Sequence, residues 1–184
     1  MQTGAYDVHA PLMLGGDLSE AEVLGAAVWL WMHSSQHRDL PLHALPTVLL
    51  PIIKHQHYML VSRGTQPLFF LSWMWLSAEA EARYLTQPAI LVKEDDWASG
   101  DRLWLRDWIA PFGDVRVMRR LVGAVLFPEH CFRSLYHRGA QRGKRVMNFK
   151  GDQVSHPQAR AWRVANPLSV SLPEYPQDRS RMLP

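Results

Sequence analysis

The stretch Trp97-Ala-Ser-Gly-Asp-Arg-Leu-Trp-Leu-Arg-Asp107-Trp-Ile-Ala-Pro-Phe-Gly-Asp114 decides how this chain is read, because it sets one ionisable carboxylate in an apolar strand. Side chains alternate along a strand, so Leu103, Leu105, Asp107 and Ile109 are expected on one face. Trp104, Arg106 and Trp108 take the other. An acid on the core side needs a donor or a charged partner, because burying a lone carboxylate is strongly unfavourable. A buried aspartate holding a loop and a carboxylate with a chemical task both fit this pattern.

Outward from it, the strand stops at Pro111-Phe-Gly113, and Asp114 suits the N-cap of a helix reaching about Phe127, bounded by Pro128. Upstream, residues 56–62 and 67–74 read as strands joined by the turn Arg63-Gly-Thr-Gln66. Ser19-Glu-Ala-Glu22 is a capping box opening a helix to about His33, with Leu24, Ala27, Val28 and Trp31 on its apolar stripe. Pro41 and Pro46 bracket a short segment, and Pro51 falls in the first turn of the next. Ser77 caps a helix to about Leu85, in which Glu79 and Glu81 read as helix formers. Residues 86–100 read as an irregular connection with a short strand at 90–92. Residues 132–137 and 145–149 form a second hairpin around a glycine-containing turn. Residues 1–18 read as an irregular extension, and residues 151–184 as a proline-containing tail with a helical turn or two at 158–164. The sum is an α+β single domain, a mixed and mostly antiparallel sheet flanked by helices, over residues 19–150.

With 184 residues the chain is long enough for one domain with a real core. Eight Trp beside five Tyr and six Phe imply broad apolar surfaces. A net charge of +3 favours an acidic partner, but no nucleic-acid motif or stacking pattern accompanies the basic residues, so nucleic acid is not expected. Cys131 is the one cysteine, which excludes an intrachain disulfide and a cysteine-rich zinc site. The first residues lack a cationic start and an apolar run, and no stretch approaches the roughly 20 apolar residues that span a bilayer. A cytoplasmic protein without stable membrane insertion is expected.

Two stretches carry a family resemblance: Trp29-Leu-Trp-Met-His-Ser-Ser-Gln-His37-Arg-Asp-Leu-Pro41 and Asp96 to Asp114. Together with the order of Pro51, Tyr58, Pro67, Ser72-Trp73 and Tyr84-Leu85, they make residues 23–150 similar to the RTX toxin-activating lysine acyltransferases, the haemolysin-activator family. The resemblance implies a cytosolic enzyme with a fold like the GNAT acetyltransferases. It implies transfer of a fatty acyl group from acyl-acyl carrier protein to internal lysines of an RTX protoxin, with no permanently bound cofactor. The family's essential histidine corresponds to His37, its aspartate to Asp107, and its serine three residues before the histidine to Ser34. The chain departs from the family at Leu40, where tryptophan is usual, and at Phe70-Leu71, where Tyr-Cys is usual. A homodimer is a further expectation of the resemblance.

The chemistry suits these residues. A lysine amine with pKa about 10.4 needs roughly 4 to 5 kcal/mol to lose its proton at neutral pH. An imidazole oriented by a carboxylate is a fitting base, and it is also a nucleophile able to take the acyl group itself. The plain reading of His37 is a helix-end histidine bonding the last carbonyls. His33 and His37, and His55 and His57, invite a metal, but no third ligand is indicated, and the strand pair reads as solvated. Arg116, Arg119, Arg120, Arg138, Arg142, Lys144 and Arg145 form a basic surface, extended by Arg133 and Lys150, that suits an acidic carrier protein. Residues 120–125 partly resemble the pyrophosphate loop of coenzyme-A-using enzymes, yet they lie within an expected helix. Two other readings stay open: a toxin-binding protein that has lost turnover, and a coenzyme-A-dependent N-acyltransferase.

Overall fold

The computed structural model of the chain describes residues 1–16, 18–88, 91–136, 143 and 145–171. Its helices are α1 (Pro11–Leu14), α2 (Glu20–Met32), α3 (Leu45–Val48), α4 (Leu50–Lys54), α5 (Ala78–Thr86), α6 (Val115–Leu121) and α7 (His156–Ala165). Seven strands form one sheet in chain order: β1 (Gln2–Thr3), β2 (Tyr6–His9), β3 (Tyr58–Arg63), β4 (Gln66–Leu76), β5 (Arg102–Ile109), β6 (Cys131–Leu135) and β7 (Val146–Lys150). All neighbouring strands are antiparallel except β5 and β6. A parallel pair needs a crossover, which α6 and a π-helical turn at Val122–Leu126 supply. The architecture is α+β.

Both faces of the sheet are covered. On one, Val23, Ala27, Leu30 and Trp31 of α2, Ile52 of α4 and Tyr84 of α5 pack over Phe70, Met74, Trp104 and Ile109. On the other, Met118, Leu121 and Leu126 pack over Phe69, Leu71, Trp73, Leu103 and Leu105. A strand buried on both sides reads as a continuous apolar run, as β4 does.

Local signals behaved as their chemistry requires at most helix starts. Ser19 accepts from the Glu22 amide and Glu22 accepts from the Ser19 amide, and Ser77 accepts from the Ala80 amide. Asp114 differs. It occupies the N-cap position of α6 with φ 55°, but its carboxylate caps nothing, accepting instead from the Tyr6 hydroxyl at 3.0 Å and pairing with Arg63 at 3.2 Å. A tertiary partner displaced the local one. The helix expected to reach Phe127 is α-helical only to Leu121.

The opening residues, expected to be irregular, form β1 and β2, which extend the sheet beside β3. Val8 and Ala10 are fully buried at alternate positions, a period-2 pattern too short to stand out. Of the strand expected at 90–92, Leu91 lies instead in a turn closed by its amide on the Pro88 carbonyl, and residue 90 lies outside the described residues. After β7, α7 spans ten residues, more than the turn or two expected.

Glu81, read as a helix former, is wholly buried. Its carboxylate accepts from Arg102 Nη1 at 2.5 Å, Trp104 Nε1 at 2.8 Å, Arg133 Nη1 at 3.0 Å, the Ser169 amide at 2.9 Å and the Ser169 hydroxyl at 2.6 Å. Burial alone would raise its pKa, but the bonds from Ser169 and Trp104 and the charge of Arg102 outweigh it and hold the carboxyl below its usual range. Arg133 Nη2 also donates to the Asn166 carbonyl, and Arg102 to that of Pro167 at 2.8 Å. Residues 166–169 are thereby tied to the sheet through this carboxylate and the two arginines it holds.

His57 is also buried, stacked on Trp73 with ring centroids 5.9 Å apart, and not solvated as the spacing suggested. Burial, with repulsion from His55, lowers its pKa to about 4. The folded chain holds the ring neutral where the unfolded chain, with its value near 6.5, takes a proton. The resulting stability is full above pH 6.5 and is lost as pH falls from about 6.5 to about 4. His57→Phe is expected to flatten this fall by on the order of 2 kcal/mol. Urea unfolding of both proteins at pH 7 and pH 5 measures it, and an equal slope in the variant would refute it.

Candidate active site

Beyond Met32 the chain turns back on itself at Ser34, whose carbonyl accepts from the amides of His37 at 3.0 Å and Arg38 at 2.9 Å. This turn brings the Ser34 hydroxyl 2.9 Å from His37 Nδ1. The imidazole rests against Trp31, with ring centroids 5.1 Å apart. Bonding the last helical carbonyls falls to His33, whose Nδ1 donates to the Trp29 carbonyl at 2.8 Å. His37 therefore has both nitrogens turned inward, to Ser34 and to β5.

Asp107 reaches the same spot from the sheet, though not by the alternation expected of β5. Ser72 pairs with Asp107 and Trp73 with Leu105, so Arg106 is an extra residue without a cross-strand partner. A one-residue β-bulge reverses which face the later side chains occupy. Leu103 and Leu105 pack with Met118 and Phe127, whereas Ile109 packs with Phe70 and Tyr58 on the α2 side. Asp107 joins Trp104 and Ile109 on that side, and its supposed companions Leu103 and Leu105 lie on the opposite one.

There, Asp107 Oδ1 lies 3.6 Å from His37 Nε2, and Oδ2 accepts from the Ser72 hydroxyl at 2.5 Å. Arg106 Nη1 stands 4.0 Å from the same Oδ2. The side chains of His37 and Asp107 are each 14% exposed, enough for a substrate atom to reach them and little enough to strengthen their interaction. Burial would raise the Asp107 pKa. The Arg106 cation, with His37 and Ser72 beside it, outweighs burial and holds the carboxyl well below the usual carboxylate range. Asp107 is thus ionised at neutral pH. An ionised Oδ1 facing Nε2 favours the tautomer with its proton there, leaving the Nδ1 lone pair to accept from Ser34.

A family profile, that of the RTX toxin acyltransferases, matches residues 17–150, which include Ser34, His37, Ser72, Arg106 and Asp107 and the whole of β5. The chain belongs to the RTX toxin acyltransferase family. Over 133 residues it is 41% identical to the RTX-I toxin-activating lysine-acyltransferase ApxIC of Actinobacillus pleuropneumoniae, covering 72% of this chain and 76% of that one. It is 38% identical to the protein-lysine myristoyltransferase HlyC of Escherichia coli over 133 residues, 72% and 77% of the two chains. The match to the protein-lysine palmitoyltransferase CyaC of Bordetella bronchiseptica is 38% over 155 residues, 83% and 82% of the chains. Family membership makes this chain an acyltransferase.

The structure brings Ser34, His37 and Asp107 together and adds two residues the sequence did not single out, Ser72 and Arg106. A serine inside the apolar run of β4 is a faint signal for Ser72, since a buried hydroxyl needs a partner. Arg106 had none, because alternation set it on the face opposite to Asp107, and only the bulge brings the two onto one side. The basic residues separate. Arg116, Arg119 and Arg120 are exposed on α6, and Arg145 is half-buried with its guanidinium carbon 5.8 Å from the centre of the Tyr136 ring. Arg133, counted with that surface, is buried in the Glu81 cluster instead. Arg138, Arg142 and Lys144 lie outside the described residues. Phe70, one of the expected departures from the family pattern, is buried and stacked on Tyr58. Among the described residues no three His, Cys, Asp or Glu side chains are grouped to hold a metal ion, and no helix is long and apolar enough to cross a membrane.

Proposed function

We propose that this chain is a cytoplasmic protein-lysine fatty acyltransferase that activates an RTX protoxin, taking the acyl group from acyl-acyl carrier protein. The observation that carries this reading is the ionised Asp107 facing His37 Nε2 at 3.6 Å, with Ser34 on the other nitrogen. Such apo contacts tighten when substrate arrives. In the direct path, the attacking lysine nitrogen gives up a proton to His37 Nδ1, past or through the Ser34 hydroxyl, as its bond to the acyl carbon forms and the carrier thiolate leaves. Asp107 stabilises the imidazolium that results. In the two-step path Nδ1 attacks the thioester carbon and the carrier thiolate leaves; the amine then attacks the same carbon, the imidazole leaves, and the amine proton passes to it. Both paths use the same two side chains.

Several features support the finer points. A seven-stranded sheet with one parallel pair and helices on both faces is compatible with a GNAT-like fold. Residues 120–126 are helical and commit their backbone to the helix, which favours a carrier-protein thioester over coenzyme A. Arg116, Arg119 and Arg120 follow closely on the end of β5 that holds Asp107, and β6, parallel to β5, delivers Arg145 to the same end of the sheet. The three exposed cations of α6, with the half-buried Arg145, suit an acidic carrier. Trp29, Met32 and Phe112 are exposed around His33, forming an apolar rim that suits a fatty acyl chain.

The test is mass spectrometry of an RTX protoxin after incubation with this chain and acyl-acyl carrier protein, beside His37→Ala. One fatty acyl mass on internal lysines, present with the natural chain and absent with the variant, is the expected result. Equal acylation by the variant would refute the assignment of His37. Acylation with acyl-coenzyme A alone would refute the donor.

A further inference from the structure

Arg106 is in an unusual position for a cation. Its side chain is 9% exposed, as buried as the acid beside it, yet no N–H bonds directly to that acid. Nη1 donates to the Val48 carbonyl at 2.7 Å, and the guanidinium carbon lies 5.1 Å from the centre of the Trp97 ring. Those two contacts, from the end of α3 and the loop before β5, fix the charge 4.0 Å from Asp107 Oδ2. A buried arginine normally grips its carboxylate with two parallel bonds. Here that grip is withheld, so Oδ2 stays with Ser72 and Oδ1 stays turned to His37.

We propose that Arg106 is a positioning residue for the reacting pair: the β5 bulge turns Asp107 to the side of the sheet where Arg106 already lies, and Arg106 supplies positive charge there without taking either carboxylate oxygen. With strict alternation Arg106 would share the α2 side with Trp104, but Asp107 would share the α6 side with Leu105 and face away from His37; the bulge sets the two side by side. The groups that meet Asp107 are His37 from the turn after α2, Ser72 from β4, Arg106 from β5 and the buried Tyr84 of α5, whose phenol is raised by burial and stays neutral. Arg106 is therefore the permanent cation of the cluster. Its charge stabilises the ionised carboxylate, so Asp107 faces the imidazole as an anion to lower pH than it would without Arg106. The enzyme then keeps its orienting carboxylate ionised over a wider range.

This inference rests on His37 and Asp107 being the reacting pair, and two readouts separate its failure from failure of that assignment. Arg106→Gln removes the charge and keeps an N–H for the Val48 carbonyl, while Arg106→Lys keeps the charge. In the Gln variant the carbon-13 titration of the Asp107 carboxyl is expected to move up by about one pH unit or more, and in the Lys variant by less than half of that. The acid limb of protoxin acylation is expected to shift up in the Gln variant and to return in the Lys variant. A merely structural role would lower the rate at every pH and move neither curve. An unmoved Asp107 titration in folded Arg106→Gln overturns the proposal, whether or not the chain acylates a toxin. A moved titration with no acylation by the natural chain refutes the function and leaves the role of Arg106 at Asp107 standing.

Discussion

Asp107→Asn is expected to slow protoxin acylation roughly 10^4-fold while leaving the fold in place, the size of loss found when the carboxylate orienting a catalytic histidine becomes an amide. The amide is nearly isosteric and still accepts from the Ser72 hydroxyl, so the strand pairing at Ser72 and Asp107 survives. What changes is the face shown to His37 Nε2. An amide cannot stabilise an imidazolium, and if its NH2 group turns toward the ring it forces the proton onto Nδ1, the nitrogen the chemistry needs free. Both the direct path and the acyl-histidine path fail for that reason. Single-turnover acylation with saturating carrier measures the loss, and circular dichroism confirms the fold. A rate within tenfold of the natural chain would mean that the charge of Asp107 is structural and that another group activates the amine.

The second large effect is far from the chemistry. Glu81→Ala is expected to destabilise the chain by about 3 to 5 kcal/mol, the range for removing one partner of a buried ion pair. The reason is what stays behind: Arg133 and the inner end of Arg102 keep their charge with no counter-ion, and Trp104 Nε1 and the Ser169 amide lose their acceptor. For a chain of this length that is a fall in melting temperature on the order of 10 °C. Residues 166–169 should also lose their tie to the sheet, so the Ser169 amide will exchange with solvent much faster in the variant. Glu81→Gln, which still accepts from Trp104, should lose less. A loss under about 1 kcal/mol in Glu81→Ala would show that both arginines reach water when the carboxylate is gone. The family profile ends at residue 150, so this carboxylate joins matched residues to a segment beyond them.

The sequence by itself determined most of the local structure, because caps, turns and periodicity act over a few residues. Ser19-Glu-Ala-Glu22, Ser77 and Gly64 with φ 57° fixed their elements without distant help. Candidate residues were legible for a related reason: an acid in an apolar strand and a histidine after a helix are costly to place unless they have partners. The sequence also carried the family, through the stretches around His37 and Asp107. Tertiary structure alone decided which residues meet. Ser72 and Trp73 pair with Asp107 and Leu105, skipping Arg106, and that single extra residue, invisible to a period-2 reading, turned Asp107 to the side where His37 waits. Glu81 looked like any helix former, and Asp114 like any N-cap, because their partners are distant in sequence, as far as 88 positions away in Ser169 and 108 in Tyr6. His57 shared an alternating pattern with His55 and was buried by Trp73 on the next strand. A local pattern fixes what one residue prefers, whereas burial, charge pairing and strand register are properties of the packed chain, and at this site register decided the chemistry.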